Sequence, residues 1–445
     1  MSTTPTAAPD DDIVHESKIT PKQWLIMAIC FVAYVLDGFD VAVISFAAPA
    51  ISAEWGIAAD QLGMVFSSGV LGMTLGAMFL ASLADLYGRR LIVCLMLLMA
   101  GAATVGVAYT QTVPQLIALR FVGGLGLGAL MAALAPLVGE YSPRRHRTLI
   151  LAAIFSAGPL GPVIGGLIAA PMITEHGWQS IFLYAGILTI LVGLLQYAVV
   201  PESMAFIIKR RPHGALDKVN RILRYIGQDR IERLPDTGAG QRSESASVIS
   251  LLTPARRPKT LLVWLTFFLA FATVYFFTSW LPQILVNAGW PQDQAIRGAV
   301  TMAFGSVIGT TLIGGLAKWK PLNRIITVAF VIGGLTAAAL GTMLLAADTV
   351  PPVVVWISLL LIGITVMGGF TNLYTVALTV YPAQIRSTGL GWAAGLGRGG
   401  AVLSPAVAGL LIAAGVSMPA LSLYFALPIF VAAACALWVS MSEMA

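Results

Sequence analysis

The chain has 445 residues, 58% of them hydrophobic and only 10% charged, with a formal net charge of +6. Soluble domains carry about 25% charged residues, so this composition excludes a water-soluble globular protein, which could not cover its own surface. The basic excess is accounted for by membrane topology, set out below, and does not point to nucleic acid.

In chain order, the first 22 residues form a polar tail carrying Asp10, Asp11 and Asp12. The tail lacks the basic, short-apolar and cleavage-site pattern of a signal peptide, so the first helix is expected to direct insertion. Apolar runs then follow, many of about twenty residues, enough for a helix to cross a ~30 Å hydrocarbon layer. They lie near 23–50, 60–83, 91–110, 114–138, 148–172 and 178–200. After a polar stretch come 260–286, 296–316, 324–346, 353–380, 387–414 and 419–440. These are spans 1 to 12. Cys30, Cys94 and Cys435 fall inside spans without any spacing pattern, and suggest packing rather than a disulfide or metal site.

The charges test this count. Of the 26 Lys and Arg, all but Arg120, Arg297 and Arg398 fall on the same side of the alternating spans. Basic loops stay cytoplasmic, so both termini are expected there, and an odd number of spans would scramble the pattern. The expected organisation is a tail at 1–22, a six-helix bundle at 23–200, a cytoplasmic linker at 201–259 and a second bundle at 260–441. Within the linker, Leu216, Val219, Ile222, Leu223 and Ile226 recur at helical spacing and predict an amphipathic helix along the inner face. Asp236 to Ser250 is rich in Gly and Ser and reads as flexible. A weak internal repeat supports two halves. Tyr141 and Tyr381, and Thr148 and Thr388, share one spacing at the turns after spans 4 and 10.

An ionisable group at mid-bilayer costs at least ~2.5 kcal/mol, so each one asks for a function or a partner. Asp37 and Asp40 stand in span 1 as Asp37-Gly38-Phe39-Asp40. Three residues apart, they lie about 60° from one another on a helix. Two carboxylates in a dry site disfavour simultaneous ionisation, so the pair suits proton loading and release; alternatively, one of them caps or pairs with an arginine on another helix. Arg398 sits in span 11 among glycines, as Gly397-Arg398-Gly399-Gly400. Its planar fork fits a carboxylate, as a substrate anchor, as an ion-pair switch or as a permanent bridge. Arg120 opens Arg120-Phe121-Val122-Gly123-Gly124-Leu125-Gly126-Leu127-Gly128 in span 4, where Gly124 and Gly128 favour tight packing. Arg120 could tune the carboxylates or bond to backbone. Aromatic residues Tyr34, Phe39, Tyr275, Phe370, Tyr374 and Trp392, with Trp264, Phe268 and Phe271 of span 7, are candidates to stack on an aromatic substrate, although packing is the commoner role.

These residues resemble the major facilitator superfamily over nearly the whole chain, and its aromatic acid:proton symporter family in particular. The superfamily gate motif after span 2 is present as Asp85-Leu86-Tyr87-Gly88-Arg89-Arg90, with departures at Ala81 and Leu86; in the second half Lys318 stands where an acid is usual. Asp37-Gly38-Phe39-Asp40, Gly391-Trp392, and Gly397-Arg398 with Pro405 are similar to that family's first- and eleventh-helix patterns. Arg120 and Glu140 match positions at the two ends of its fourth helix. The resemblance implies an all-α fold of twelve transmembrane helices in two six-helix bundles. It also implies inward symport of benzoate- or hydroxybenzoate-type acids with protons by alternating access, in a bacterial inner membrane.

On this reading Asp37 and Asp40 couple protons, Arg398 anchors the carboxylate with the aromatic residues as walls, and Asp85, Gly88, Arg89, Arg120, Glu140 and Arg386 gate or brace. A monomer without cofactor or metal is expected, with lipid, protons and substrate as its partners. A porter of sugars or other small metabolites, a drug exporter and a non-transporting receptor are the alternatives. No nucleophile–base or phosphate-cradling pattern suggests an enzyme.

Overall fold

The computed structural model describes residues 19–143, 145–235, 248–254, 256–346, 350–382 and 385–441. Every regular element among them is helical. Twelve helices are long and apolar enough to cross a membrane: Pro21–Trp55, Ala59–Leu80, Arg89–Val107, Val113–Tyr141, Arg147–His176, Trp178–Val199, Arg257–Asn287, Gln292–Leu316, Leu322–Leu345, Pro352–Val380, Arg386–Ala413 and Leu421–Val439. They are spans 1 to 12 of the sequence reading.

Local chemistry sets the helix ends, which therefore depart from the apolar runs. Span 1 begins at a capping box: the Gln23 N–H donates to Thr20 Oγ1 (3.3 Å) and the Thr20 N–H to Gln23 Oε1 (2.9 Å), with Pro21 in the first turn. It ends at Gly56, whose left-handed backbone suits glycine. It thus runs past the apolar stretch at both ends. Spans 2 and 10 each contain one wide π-helical segment, Gly76–Leu80 and Gly363–Met367.

The halves meet chiefly through spans 2 and 11 and spans 5 and 8, at the end of the bundle remote from the chain termini. There a side chain on Gly63 would strike Pro405 and Ala406, one on Gly409 would strike Ala59, and one on Gly166 would strike Val300. Gln292 Nε2 reaches the Phe46 carbonyl (3.5 Å) and Phe66 meets Trp280 edge-on at 5.2 Å. One buried apolar cluster accordingly runs through both halves, whereas a second, from Ile26 to Ile226, belongs to the first half alone. Towards the terminal end of span 11, Gly391 and Gly395 have open space where side chains would stand, and Trp392 is 43% exposed. The halves close at one end and part towards the other.

The linker folds onto the first half. Met204–Arg210 and Ala215–Ile226 are helices, and Val219, Ile222, Leu223 and Ile226 join the first-half cluster. Thr20 Oγ1 donates to the Ile226 carbonyl (2.8 Å). The amphipathic helix therefore buries its apolar stripe against protein rather than lipid. Most of the Gly/Ser-rich segment lies outside the described residues, and Val248–Leu251 at its end is a helical turn.

Candidate functional site

Span 1 brings two carboxylates to mid-bundle, and its packing against span 5 depends on glycine. A side chain at Gly38 would run into the Gly158 backbone, and one at Gly161 into the Val35 carbonyl. Span 4 approaches span 2 in the same way, with Gly124 against Gly69 and Gly128 against Met73. This close approach lets Arg120 reach across to span 1.

The two carboxylates meet different surroundings. Asp40 is held on three sides: Arg120 Nη1 donates to Oδ2 (2.9 Å), Arg120 Nη2 to the Asp40 carbonyl (2.9 Å), and Thr104 Oγ1 to Oδ1 (2.7 Å). The ion pair is almost fully buried. Asp37 is buried as well, yet its Oδ1 has no hydrogen-bond partner among the described residues. The 60° turn between the two positions separates them. Asp40 faces spans 3 and 4, while Asp37 lies within the electrostatic reach of Arg398 and Tyr34.

Arg398 contributes the site's second charge. Its Nη1 donates to the Met73 carbonyl across the junction of the halves (3.2 Å), and no carboxylate lies within 4.0 Å of it among the described residues. Tyr34, Tyr275 and Tyr374 all feel its field. Around it the second half supplies linked rings: Phe271 meets Phe370 edge-on at 4.6 Å, Phe370 meets Tyr374 at 6.0 Å, and Tyr275 stacks on Phe271 at 6.0 Å. Tyr275 and Phe370 also line a cavity of about 220 Å³ between the halves, opposite Gly38, Gly158 and Phe46, with Met302 beside them. It is smaller than the ~300–1,000 Å³ usual for drug-sized ligands.

Asp37, Arg398, Tyr34, Tyr275, Phe370 and Tyr374 thus come together. Phe39 does not: its ring packs over Gly165 and beside Phe46 (6.5 Å), in the seam between spans 1 and 5. Trp392 stands nearer the open end, tilted against Trp264 at 6.1 Å. Phe271, a candidate from span 7, joins the site, and Thr104 belongs to it without having been a candidate. Phe271 has a signal, since it recurs with Trp264, Phe268 and Tyr275 along span 7. Thr104 has none, being one threonine in an apolar run.

At the terminal end a separate polar network braces the first half. Arg89 pairs with Glu140 at very short range and with Asp85 at 3.5 Å. Glu140 also accepts from Ser203 Oγ (2.8 Å) and the Ala205 N–H (3.2 Å). Gly88 adopts φ 103°, and a side chain there would collide with the Glu202 carboxylate. Tyr141 donates to the Glu202 carbonyl (2.6 Å), and Gln23 Nε2 donates to the Tyr141 carbonyl (3.0 Å). Across the repeat, Arg386 reaches the Tyr381 carbonyl (3.4 Å) and no carboxylate within 4.0 Å among the described residues, and Lys318 is exposed. The described ion pairs Arg89–Asp85, Arg89–Glu140 and Arg120–Asp40 all belong to the first half.

Comparison with known proteins bears on the whole chain. Residues 30–405 match the family model of the Major Facilitator Superfamily. The 4-hydroxybenzoate transporter PcaK of Acinetobacter baylyi is 32% identical over 406 residues, covering 90% of this chain and 87% of that one. A gallate transporter of Pseudomonas putida is 30% identical, over 96% and 95% of the two chains. Among solved structures, the xylose transporter XylE from E. coli, in an inward open conformation, superposes with a TM-score of 0.71 at 17% identity, over 93% of this chain and 95% of that one.

Proposed function

The chain belongs to the Major Facilitator Superfamily of transporters, and we propose that it imports aromatic carboxylic acids of the benzoate or hydroxybenzoate type together with protons, by alternating access. The observation that carries this reading is the placement at the junction of the halves of the Asp37 carboxyl, whose Oδ1 has no hydrogen-bond partner among the described residues, and the Arg398 guanidinium, which has no carboxylate within 4.0 Å among them, near a cavity lined by Tyr275 and Phe370. Names of similar proteins support the substrate class: one transports 4-hydroxybenzoate and another gallate.

In the proposed cycle Arg398, held by the Met73 carbonyl in this structure, offers its fork to the substrate carboxylate, bidentately where geometry allows. The substrate ring lies among Tyr275, Phe271 and Phe370. Asp37 carries the proton, because an ionised, unpartnered carboxylate is costly in a dry cavity and protonation removes that charge. Asp40, held by Arg120 and Thr104, orients span 1. Basic loops on the side of the termini orient the protein in a bacterial cytoplasmic membrane with both termini inside, so the open end of this bundle faces the cytoplasm. The Arg89–Glu140–Ser203 network braces the first half as the halves rock.

Uptake of a labelled panel of aromatic acids into proteoliposomes, under an imposed pH gradient, tests both substrate and coupling. Wild type is expected to accumulate hydroxybenzoates against their gradient, and Asp37→Asn to lose accumulation while retaining counterflow. Full gradient-driven accumulation by Asp37→Asn would sink the proton assignment. A panel in which sugars are taken up and aromatic acids are not would sink the substrate class.

A further inference from the structure

A second cavity, of about 320 Å³, lies outside the transport path, where the linker helix Ala215–Ile226 crosses the adjacent ends of spans 3 and 6. It is lined by Arg90, Glu202, Lys218 and Arg221, with Val199 and Tyr225 among its apolar walls. Its one carboxylate is already engaged, since Glu202 accepts from the backbone N–H groups of Arg90 (3.1 Å) and Ser203 (2.9 Å). Arg90 is pinned by Tyr197, donating from Nε to its carbonyl (2.8 Å) and lying over its ring at 4.4 Å. Lys218 and Arg221 project from one helix three residues apart, exposed and with no carboxylate within 4.0 Å among the described residues. Three cations therefore converge around a mostly apolar floor.

Two further facts select the occupant. Span 3 begins at Arg89 and span 6 ends at Val199, so the cavity stands at the level of the lipid headgroups. Leading away from it along the two helices are exposed apolar side chains, Leu91 and Leu95 on span 3 and Leu191, Leu194 and Leu195 on span 6. Tyr197, 44% exposed, sits between as an interfacial aromatic. A soluble anion would use only the cations, whereas a phospholipid uses both the cations and the leucine track. We propose that this cavity binds the phosphate headgroup of an anionic phospholipid, whose acyl chains lie along spans 3 and 6. The bound lipid bridges Lys218 and Arg221 of the linker to Arg90 of the bundle, and so fastens the linker helix to the first half.

The test uses the full-length protein in detergent, with phosphatidylglycerol, phosphatidylcholine and inorganic phosphate as probes. Bound lipid is counted by native mass spectrometry and stability is read by thermal unfolding. Phosphatidylglycerol is expected to bind more tightly than phosphatidylcholine and to raise the unfolding temperature further. The Lys218→Gln/Arg221→Gln variant should weaken that binding about 5-fold for each cation removed. Lys318→Gln/Lys320→Gln, an equal loss of exposed charge in the second half, should leave it unchanged. Equal binding of the two lipids would overturn the proposal, as would unchanged phosphatidylglycerol binding in the 218/221 variant. Displacement of the lipid by equimolar inorganic phosphate would assign the pocket to a soluble anion instead.

Discussion

In the first half, Asp40 of span 1 and Arg120 of span 4 answer each other, and Glu140 of span 4 and Arg89 of span 3 do the same at the terminal end. In the second half, Arg398 hydrogen-bonds a carbonyl oxygen of span 2 and has no carboxylate within 4.0 Å among the described residues, in the midst of linked aromatic rings. The contrast separates two uses of buried charge. A matched pair fixes the relative rotation of helices, since either member alone would be an uncompensated charge at low dielectric. An unmatched charge at the junction of the halves is available to a ligand. Asp37 is the exception, a first-half carboxyl whose Oδ1 has no hydrogen-bond partner among the described residues.

Breaking the matched pair should produce the largest effect on the fold. Arg120→Ala would leave Asp40 buried without its counterion, at a cost of about 3–5 kcal/mol. It should appear as a sharp drop in unfolding temperature and in yield, with partial recovery in Arg120→Ala/Asp40→Asn. Were Arg120→Ala as stable as wild type, the division between structural and available charges would collapse. Arg398→Lys should do the converse. It keeps the charge and the fold but loses the planar fork, and substrate affinity should fall by about 10- to 100-fold, from the ~1.5–3 kcal/mol of a hydrogen bond to a charged group. Binding of a labelled acid to purified protein measures this, and unchanged affinity would remove Arg398 from the site. The smallest effect is expected from Lys318→Asp, which puts an acid where the second-half gate motif has a base. The position is exposed and makes no described ion pair, so stability should move by no more than about 0.5 kcal/mol. A larger gain would mean that the second half can build a brace like that of the first.

Much of this arrangement is legible in the sequence because the bilayer imposes coarse rules. A span needs about twenty apolar residues, basic residues cluster in loops of one sidedness, and a charge inside a span draws attention by its cost. Asp37, Asp40, Arg120 and Arg398 are found in that way, and all four lie near Tyr275. What the chain does not disclose is which carboxylate takes the arginine. That choice depends on how far span 4 can approach span 2, and hence on backbone contacts at Gly124 and Gly128 with residues about fifty positions away in sequence. Thr104 is hidden for the same reason. Phe39 reads as a wall candidate because it is an aromatic ring within a span, but its ring lies in the seam with span 5, over Gly165. The linker helix is predicted from its stripe, yet an apolar stripe alone does not distinguish lipid from protein as its partner.

The crossing of Gly38 over Gly158 also governs the shape of the cavity. Both residues line it, and there backbone lies against backbone. That side behaves as the fixed jaw of a caliper, its width set by peptide geometry with no rotamer to adjust. The opposing jaw carries Met302 and Met367, whose unbranched thioether chains re-pack readily. For a substrate ring held in this cavity as proposed, a substituent on the edge facing the glycines would meet an unyielding wall, while the same group turned towards the methionines would be absorbed. Tolerance for ring decoration should therefore depend on position around the ring more than on size.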